Sequence, residues 1–262
     1  MILEGRRKMQ IIDYLEFWAT KHCNLNCKGC SSCSPISEEW YLETETLKKD
    51  LNRLKGLGIS VANINILGGE PLLHPRIVDL FSVVKQIFPD CNLGLLTNGL
   101  LLRKMKEEFW NSCVKDNIKL KITCFPVFSE DDIEQIEQIL NQYGIEYQLT
   151  RKIKFNKILS ENNPSSMEEI IQACGCNNAY NLYDGYVSRC TVPMITERLN
   201  SKFGTKLNTD GRLNIHESTA EDIISFLSTP NKSCTNCSAF PQKVVWEKAG
   251  KYPSKEDWII GG

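Results

Sequence analysis

Histidine is scarce: the 262 residues hold three, His22, His74 and His216. That argues against a His-rich zinc hydrolase site. No apolar run approaches the ~18 residues of a membrane span. The N-terminal stretch MILEGRRKMQIIDYLEF has charges, but no uncharged apolar region and no small-residue cleavage site, so no secretory signal is expected. Charge of neither sign is in excess: 31 Lys and Arg face 32 Asp and Glu, a net −1. Such a balance exerts no strong pull toward nucleic acid or an anionic membrane, and neither is expected as a partner. No internal repeat or low-complexity tract stands out. A cytoplasmic protein is expected, with one large domain or one large and one small.

Cysteine, by contrast, is abundant, with twelve residues. In a reducing cytosol these read as metal or cluster ligands rather than disulfides. They are also clumped. Cys23, Cys27, Cys30 and Cys33 fall in CNLNCKGCSSC; Cys174, Cys176 and Cys190 form a looser group, and Cys234 and Cys237 a CxxC pair. Cys91, Cys113 and Cys124 stand singly. Isolated cysteines usually serve as small buried apolar residues, which is the reading for Cys91 and Cys113.

The order of elements says where these groups sit. Residues 11–20 (IIDYLEFWAT) read as a strand, and the cysteine loop follows directly. Apolar residues at 47, 51, 54 and 57 have helical spacing and stop at Gly58. Strand signals recur at 61–67, 91–97, 118–125 and 145–150, with helical patterns at 76–88, 101–115 and 130–143 between them. Strand–helix alternation up to residue 150 predicts a parallel sheet with right-handed crossovers, open or curled toward a barrel. Ligands then bind beyond the C-terminal ends of the strands. Each motif lies just after a predicted strand: the cysteine loop, then Gly68-Gly69-Glu70-Pro71, then Thr97-Asn98-Gly99, and Cys124 at the end of the fourth. After residue 155 the texture changes to a polar linker (SENNPSS) and short segments. Asp184-Gly185 signals a hairpin there.

The eleven-residue cysteine stretch admits three readings. Four thiolates on one zinc would strain so short a loop. A ferredoxin run through Cys27, Cys30 and Cys33 lacks its fourth Cys-Pro, because Ser34 precedes Pro35. The third uses Cys23, Cys27 and Cys30, spaced CxxxCxxC. Three thiolates on a four-iron cluster leave one iron open for chemistry.

That spacing, with GGEP at 68–71 and TNG at 97–99, resembles the radical S-adenosylmethionine (SAM) superfamily. The resemblance implies a partial (β/α)6 TIM-like barrel of mostly parallel strands, with a small cysteine-rich domain attached. It implies that Cys23, Cys27 and Cys30 hold a [4Fe-4S] cluster. The backbone of Gly68, Gly69 and Pro71, the Glu70 carboxylate, Thr97 and Asn98 would bind SAM. The reduced cluster would cleave SAM to methionine and a 5′-deoxyadenosyl radical. The family usually carries an aromatic residue just before the third cysteine, and Gly29 stands there here. His74 reads as structural, and Cys33 as a plain loop residue or a functional thiol.

The later cysteines resemble the Twitch domain, a shortened SPASM extension of such enzymes. Cys174, Cys190, Cys234 and Cys237 would hold a second [4Fe-4S] cluster, with Cys176 as the alternative to Cys174. The expected layout is a core over 1–155, the Twitch-like domain over 156–240, and a tail over 241–262 packed on the core. A Cys₄ zinc site remains the alternative for the second set. The expected activity is radical SAM oxidation of a small polar substrate such as a sugar or aminocyclitol, with the second cluster as electron acceptor. Few residues precede the first strand, too few for a leader-peptide recognition domain, so a peptide maturase is the second expectation. An epimerase is a third, with Cys124 or Cys33 as hydrogen-atom donor. A low-potential donor such as flavodoxin or ferredoxin is implied. The non-enzyme alternative is a zinc-binding module.

Overall fold

The computed structural model describes residues 10–176 and 178–261. The first nine residues, part of the stretch read for a secretory signal, lie outside the described residues, as do Asn177 and Gly262. Ten strands and seven α-helices are described: β1 (Gln10–Thr20), α1 (Thr44–Gly56), β2 (Ile59–Gly68), α2 (Ile77–Ile87), β3 (Asn92–Thr97), α3 (Glu107–Lys115), β4 (Lys119–Cys124), α4 (Glu130–Tyr143), β5 (Tyr147–Arg151), β6 (Lys154–Leu159), α5 (Met167–Ala173), β7 (Tyr180–Tyr183), β8 (Tyr186–Ser188), α6 (Val192–Phe203), β9 (Arg212–Asn214), α7 (Ala220–Ser228) and β10 (Cys237–Val245). No described helix is long and apolar enough to cross a membrane.

Eight strands form one sheet in the order β5-β4-β3-β2-β1-β7-β8-β9. The pairs from β5 through β1 to β7 are parallel, and β7–β8–β9 is antiparallel. The mostly parallel α/β architecture is that of a partial TIM-like barrel, as the strand–helix alternation predicts. The helices are local products of the sequence. Ser129 caps α4 in a reciprocal box with Asp132, and Gly144 ends it in the left-handed region. Helix α3 is shorter than the 101–115 expected, because a 3-10 turn at Leu102–Lys104 precedes it.

The hairpin at Asp184-Gly185 forms as expected, but it does not stand apart from the core. Its first strand, β7, pairs directly with β1, Leu15 opposite Tyr180 and Phe17 opposite Leu182. Asp50 of α1 fastens the turn, its Oδ2 accepting the Gly185 N–H at 2.8 Å and its Oδ1 meeting His216 Nε2 at 2.8 Å. Three short strands within 156–240, β7, β8 and β9, thus extend the core sheet. The tail is more than packing, since β10 pairs antiparallel with β6.

The two sheet faces differ. Leu15, Phe17, Ile64, Ile66, Leu93, Leu95, Leu120 and Ile122 join the helices in the main apolar core. The register puts Tyr14, Glu16 and Trp18 of β1 beside Asn63, Asn65 and Leu67 of β2 on the other face. The same face continues through Gly94, Lys119, Lys121 and Gln148 to Asn181. Parallel strands are usually apolar on both faces, so a polar inner face departs from the ordinary pattern.

Candidate active site

The first cysteine loop leaves β1 at Thr20. Cys23, Cys27 and Cys30 gather around an apolar patch of Leu25 and Phe155, with Phe125 and Trp246 against it. Burial pushes the Cys23 thiol up to about 11 and Cys27 to about 12, and the neighbouring thiols add to both shifts. Three N–H groups reach two of these sulfurs. Leu25 N–H and Asn98 Nδ2 reach Cys23 Sγ at 3.4 and 3.5 Å, and Trp246 Nε1 reaches Cys27 Sγ at 3.1 Å. Clustered thiols, two of them reached by N–H donors, suit a cationic metal group that keeps them deprotonated. The donor set fits an iron–sulfur cluster.

The GGEP turn follows β2 and is stitched to the same loop. Gly69 N–H donates to Thr20 O at 2.8 Å and Glu70 N–H to His22 O at 3.0 Å. A Cβ at Gly69 would stand 2.0 Å from the His22 carbonyl oxygen, and one at Gly68 2.2 Å from that of Thr20. The close approach those glycines permit is therefore to the backbone after β1. Glu70 is wholly buried. Its Oε1 accepts from Thr97 Oγ1 (2.6 Å) and Leu72 N–H (3.1 Å), and its Oε2 from Asn98 N–H (2.8 Å). A carboxylate has about four acceptor sites, so roughly one remains for a ligand. Glu70 thus joins the ends of β2 and β3, and Asn98 carries the link on to Cys23. His74 is structural: Nδ1 accepts from Arg76 N–H, which leaves Nε2–H to donate to Leu42 O at 2.9 Å.

Burial pushes the Glu70 carboxyl up to about 7 from 4.5, outweighing its three donors. A carboxyl raised on folding stabilises the fold fully below its unfolded value. That contribution, on the order of 3 kcal/mol, is lost as pH climbs through the folded value. Glu70→Gln removes this titration. The stability advantage of the unsubstituted chain over the variant should narrow between pH about 4.5 and about 7, read by denaturant melts at each pH. A difference independent of pH would contradict a titrating buried carboxyl.

The second cysteine group lines one cavity of about 380 Å³. Cys174, Cys176, Cys190, Cys234 and Cys237 all face it, with Gly29 and Ser31 of the first loop on its wall. Burial pushes Cys190 up to about 12, and also raises Cys176 and Cys237. Cys176 is half-buried, whereas Cys174 is exposed. Among the described residues no three His, Cys, Asp or Glu side chains close on a single-ion position.

Two further candidates are buried among apolar side chains. Cys33 is fully buried in the apolar cluster of Trp18, Val192 and Trp258. Cys124 is buried with Leu120 and Ile122 on the apolar face, opposite Lys121 and Thr123. Cys91 and Cys113 are buried core residues, as expected.

The sequence reading missed the polar inner face. Glu16 accepts from the Tyr14 hydroxyl at 2.7 Å, Lys121 donates to Asn65 Oδ1 at 2.8 Å, and Trp18 Nε1–H donates to Asn181 Oδ1 at 3.2 Å. Burial raises the Glu16 carboxyl, against Tyr14, Lys121 and Asn181. Burial also lowers Lys121. The signal was the period-2 alternation of YLEFW, NINI and KLKIT within strands expected to be parallel.

Residues 19–141 match the model of the radical SAM superfamily. Among curated proteins it is similar to a GTP 3′,8-cyclase of Aliarcobacter butzleri, 30% identical over 223 residues, covering 80% of this chain and 63% of that protein. A GTP 3′,8-cyclase of Helicobacter pylori is 33% identical over 107 residues, covering 39% and 32%. The chain thus spans between about a third and two thirds of these two relatives. The fold is shared with BtrN in complex with AdoMet and 2-DOIA, at 16% identity and TM-score 0.56, covering 86% of this chain and 92% of that one. It is shared too with native anSMEcpe with bound AdoMet, at 12% identity and TM-score 0.57, covering 86% and 82%.

Proposed function

We propose that the protein cleaves SAM reductively and oxidises a small polar substrate, a sugar or aminocyclitol, with a second cluster as electron acceptor. The observation that carries this reading is the second thiol group, which gathers five cysteines around one cavity walled by the first cysteine loop. In this reading Cys23, Cys27 and Cys30 hold a [4Fe-4S] cluster, and Cys176, Cys190, Cys234 and Cys237 hold another. Cys176 takes the place first given to Cys174, because it is the less exposed of the two. When bound, the first cluster and SAM supply the radical that takes a hydrogen atom from the substrate.

The chain's own residues do the rest. Glu70 and Asn98 fix the strand ends where SAM would lie, and the fourth acceptor site of Glu70 suits its ammonium group. The inner face of Glu16, Asn65, Lys121 and Asn181 offers donors and acceptors to hydroxyl or amino groups, as a polyol or aminocyclitol needs. The low-potential electron donor, flavodoxin or ferredoxin, belongs to this reading.

The test is to incubate reduced protein and SAM with sugars, aminocyclitols, peptides and GTP, and follow 5′-deoxyadenosine and product. A sugar or aminocyclitol should raise 5′-deoxyadenosine and yield a product two hydrogens lighter. The relatives favour a second reading, cyclisation of a nucleotide; turnover with GTP alone would establish it and sink the first. Iron and acid-labile sulfide content separates both from a zinc-binding module.

A further inference from the structure

The C-terminal segment grips the first cysteine loop from outside. Directly after β10, Trp246 Nε1–H donates to Cys27 Sγ at 3.1 Å. Lys28 N–H donates to Glu247 O at 2.9 Å, and Ala249 N–H to Asn26 O at 2.7 Å, so the backbone is tied on both sides of Cys27. Trp258 Nε1–H donates to Cys30 O at 2.8 Å. Lys28 Nζ lies 3.6 Å from Glu247 and 3.5 Å from Asp257. Gly29 has φ +67°, and a Cβ there would stand 3.0 Å from the Asp257 carbonyl oxygen. The tail backbone therefore runs where a larger residue before Cys30 would need space.

The Trp246 ring is itself fixed. Its centroid lies 5.9 Å from that of Phe125, which stacks on Phe155 at 5.8 Å. Ile153 O accepts the Trp246 backbone N–H at 2.9 Å. Among the described residues the side-chain N–H donors to these three thiols are Asn98 on Cys23 and Trp246 on Cys27.

We propose that Trp246 is a positioning residue for the cluster held by Cys23, Cys27 and Cys30, its indole N–H tuning the cluster through Cys27 Sγ. The inference rests on the cluster reading above. A sulfur bonded to iron carries more negative charge once the cluster is reduced, so a fixed N–H donor stabilises the reduced form and raises the potential. The apolar surroundings of Leu25, Phe125 and Phe155 strengthen that single polar contact.

Trp246→Phe keeps a ring in place and removes the donor. A redox titration follows the EPR signal that responds to SAM. The variant should keep its iron and show a more negative midpoint than the unsubstituted chain. An unchanged midpoint with iron retained overturns the proposal. A second measurement does not depend on the variant folding. Unsubstituted protein grown with isotope-labelled indole nitrogen should show a nitrogen coupling to the reduced, SAM-responsive cluster by pulsed EPR. A SAM-responsive signal without that coupling overturns the role of Trp246 alone. The absence of any SAM-responsive signal overturns the cluster reading and this inference with it.

Discussion

Alanine at Cys23, Cys27 and Cys30 together should abolish 5′-deoxyadenosine formation and leave only the iron of the second thiol group. The three thiols lie in one patch at the end of β1. The nearest substitute in sequence, Cys33, cannot replace them, because its side chain is fully buried beside Trp18 and its backbone N–H is held by Cys30 O at 2.9 Å. The fold should survive. The ties that hold this loop to the tail run largely through backbone groups, at Asn26, Lys28 and Cys30, which alanine retains. Iron and sulfide analysis, circular dichroism and a SAM cleavage assay check the three parts separately. Unchanged iron with a native spectrum would remove these cysteines from the candidate centre.

Cys190→Ala should separate the two thiol groups in function. Cys190 sits between β8 and α6, where Ser188 Oγ holds its carbonyl at 2.7 Å. It lines the same cavity as Cys174, Cys176, Cys234 and Cys237. Its loss opens one corner of the second group, while Glu70, Asn98 and the first loop keep their contacts. Oxidised product should fall to background while slow 5′-deoxyadenosine formation persists. The reason is the electron count: after hydrogen-atom abstraction, the substrate radical must give up one more electron and a proton to become a carbonyl. Without an acceptor that step stops. Product at the normal rate would mean a structural second group, and would favour a redox-neutral reaction such as epimerisation.

The parts of the site that sequence made legible are those encoded locally. CxxxCxxC, GGEP and TNG each occupy a few consecutive residues, and each lies after its expected strand. Amphipathic periods placed β1 to β5 and the helices between them. What stayed hidden depends on distant partners. Trp246 reaches Cys27 across 219 residues, and no local pattern announces that contact. The hairpin was visible as a turn, but its pairing with β1 was not, since strand signals do not name their neighbours. Helix α6 has Pro193 near its start and was passed over among short segments. The close packing of the GGEP glycines against Thr20 and His22 was equally hidden, because it joins separate strand ends.

The place of β1 between β2 and β7 bears on how the chain is made. Trp18 and Asn181 meet across 163 residues. During synthesis β2 can cover one edge of β1 early, but β7 emerges only after the whole run from α1 to α5. Until then the other edge of β1 offers unpaired N–H and C=O groups beside an apolar face, the form most prone to wrong strand pairing. Closing that edge late also means closing a long loop, which slows folding. Nascent chains stalled before residue 180 should therefore be the ones that aggregate or hold a chaperone, and release should coincide with exposure of the Tyr180–Ser188 hairpin from the ribosome.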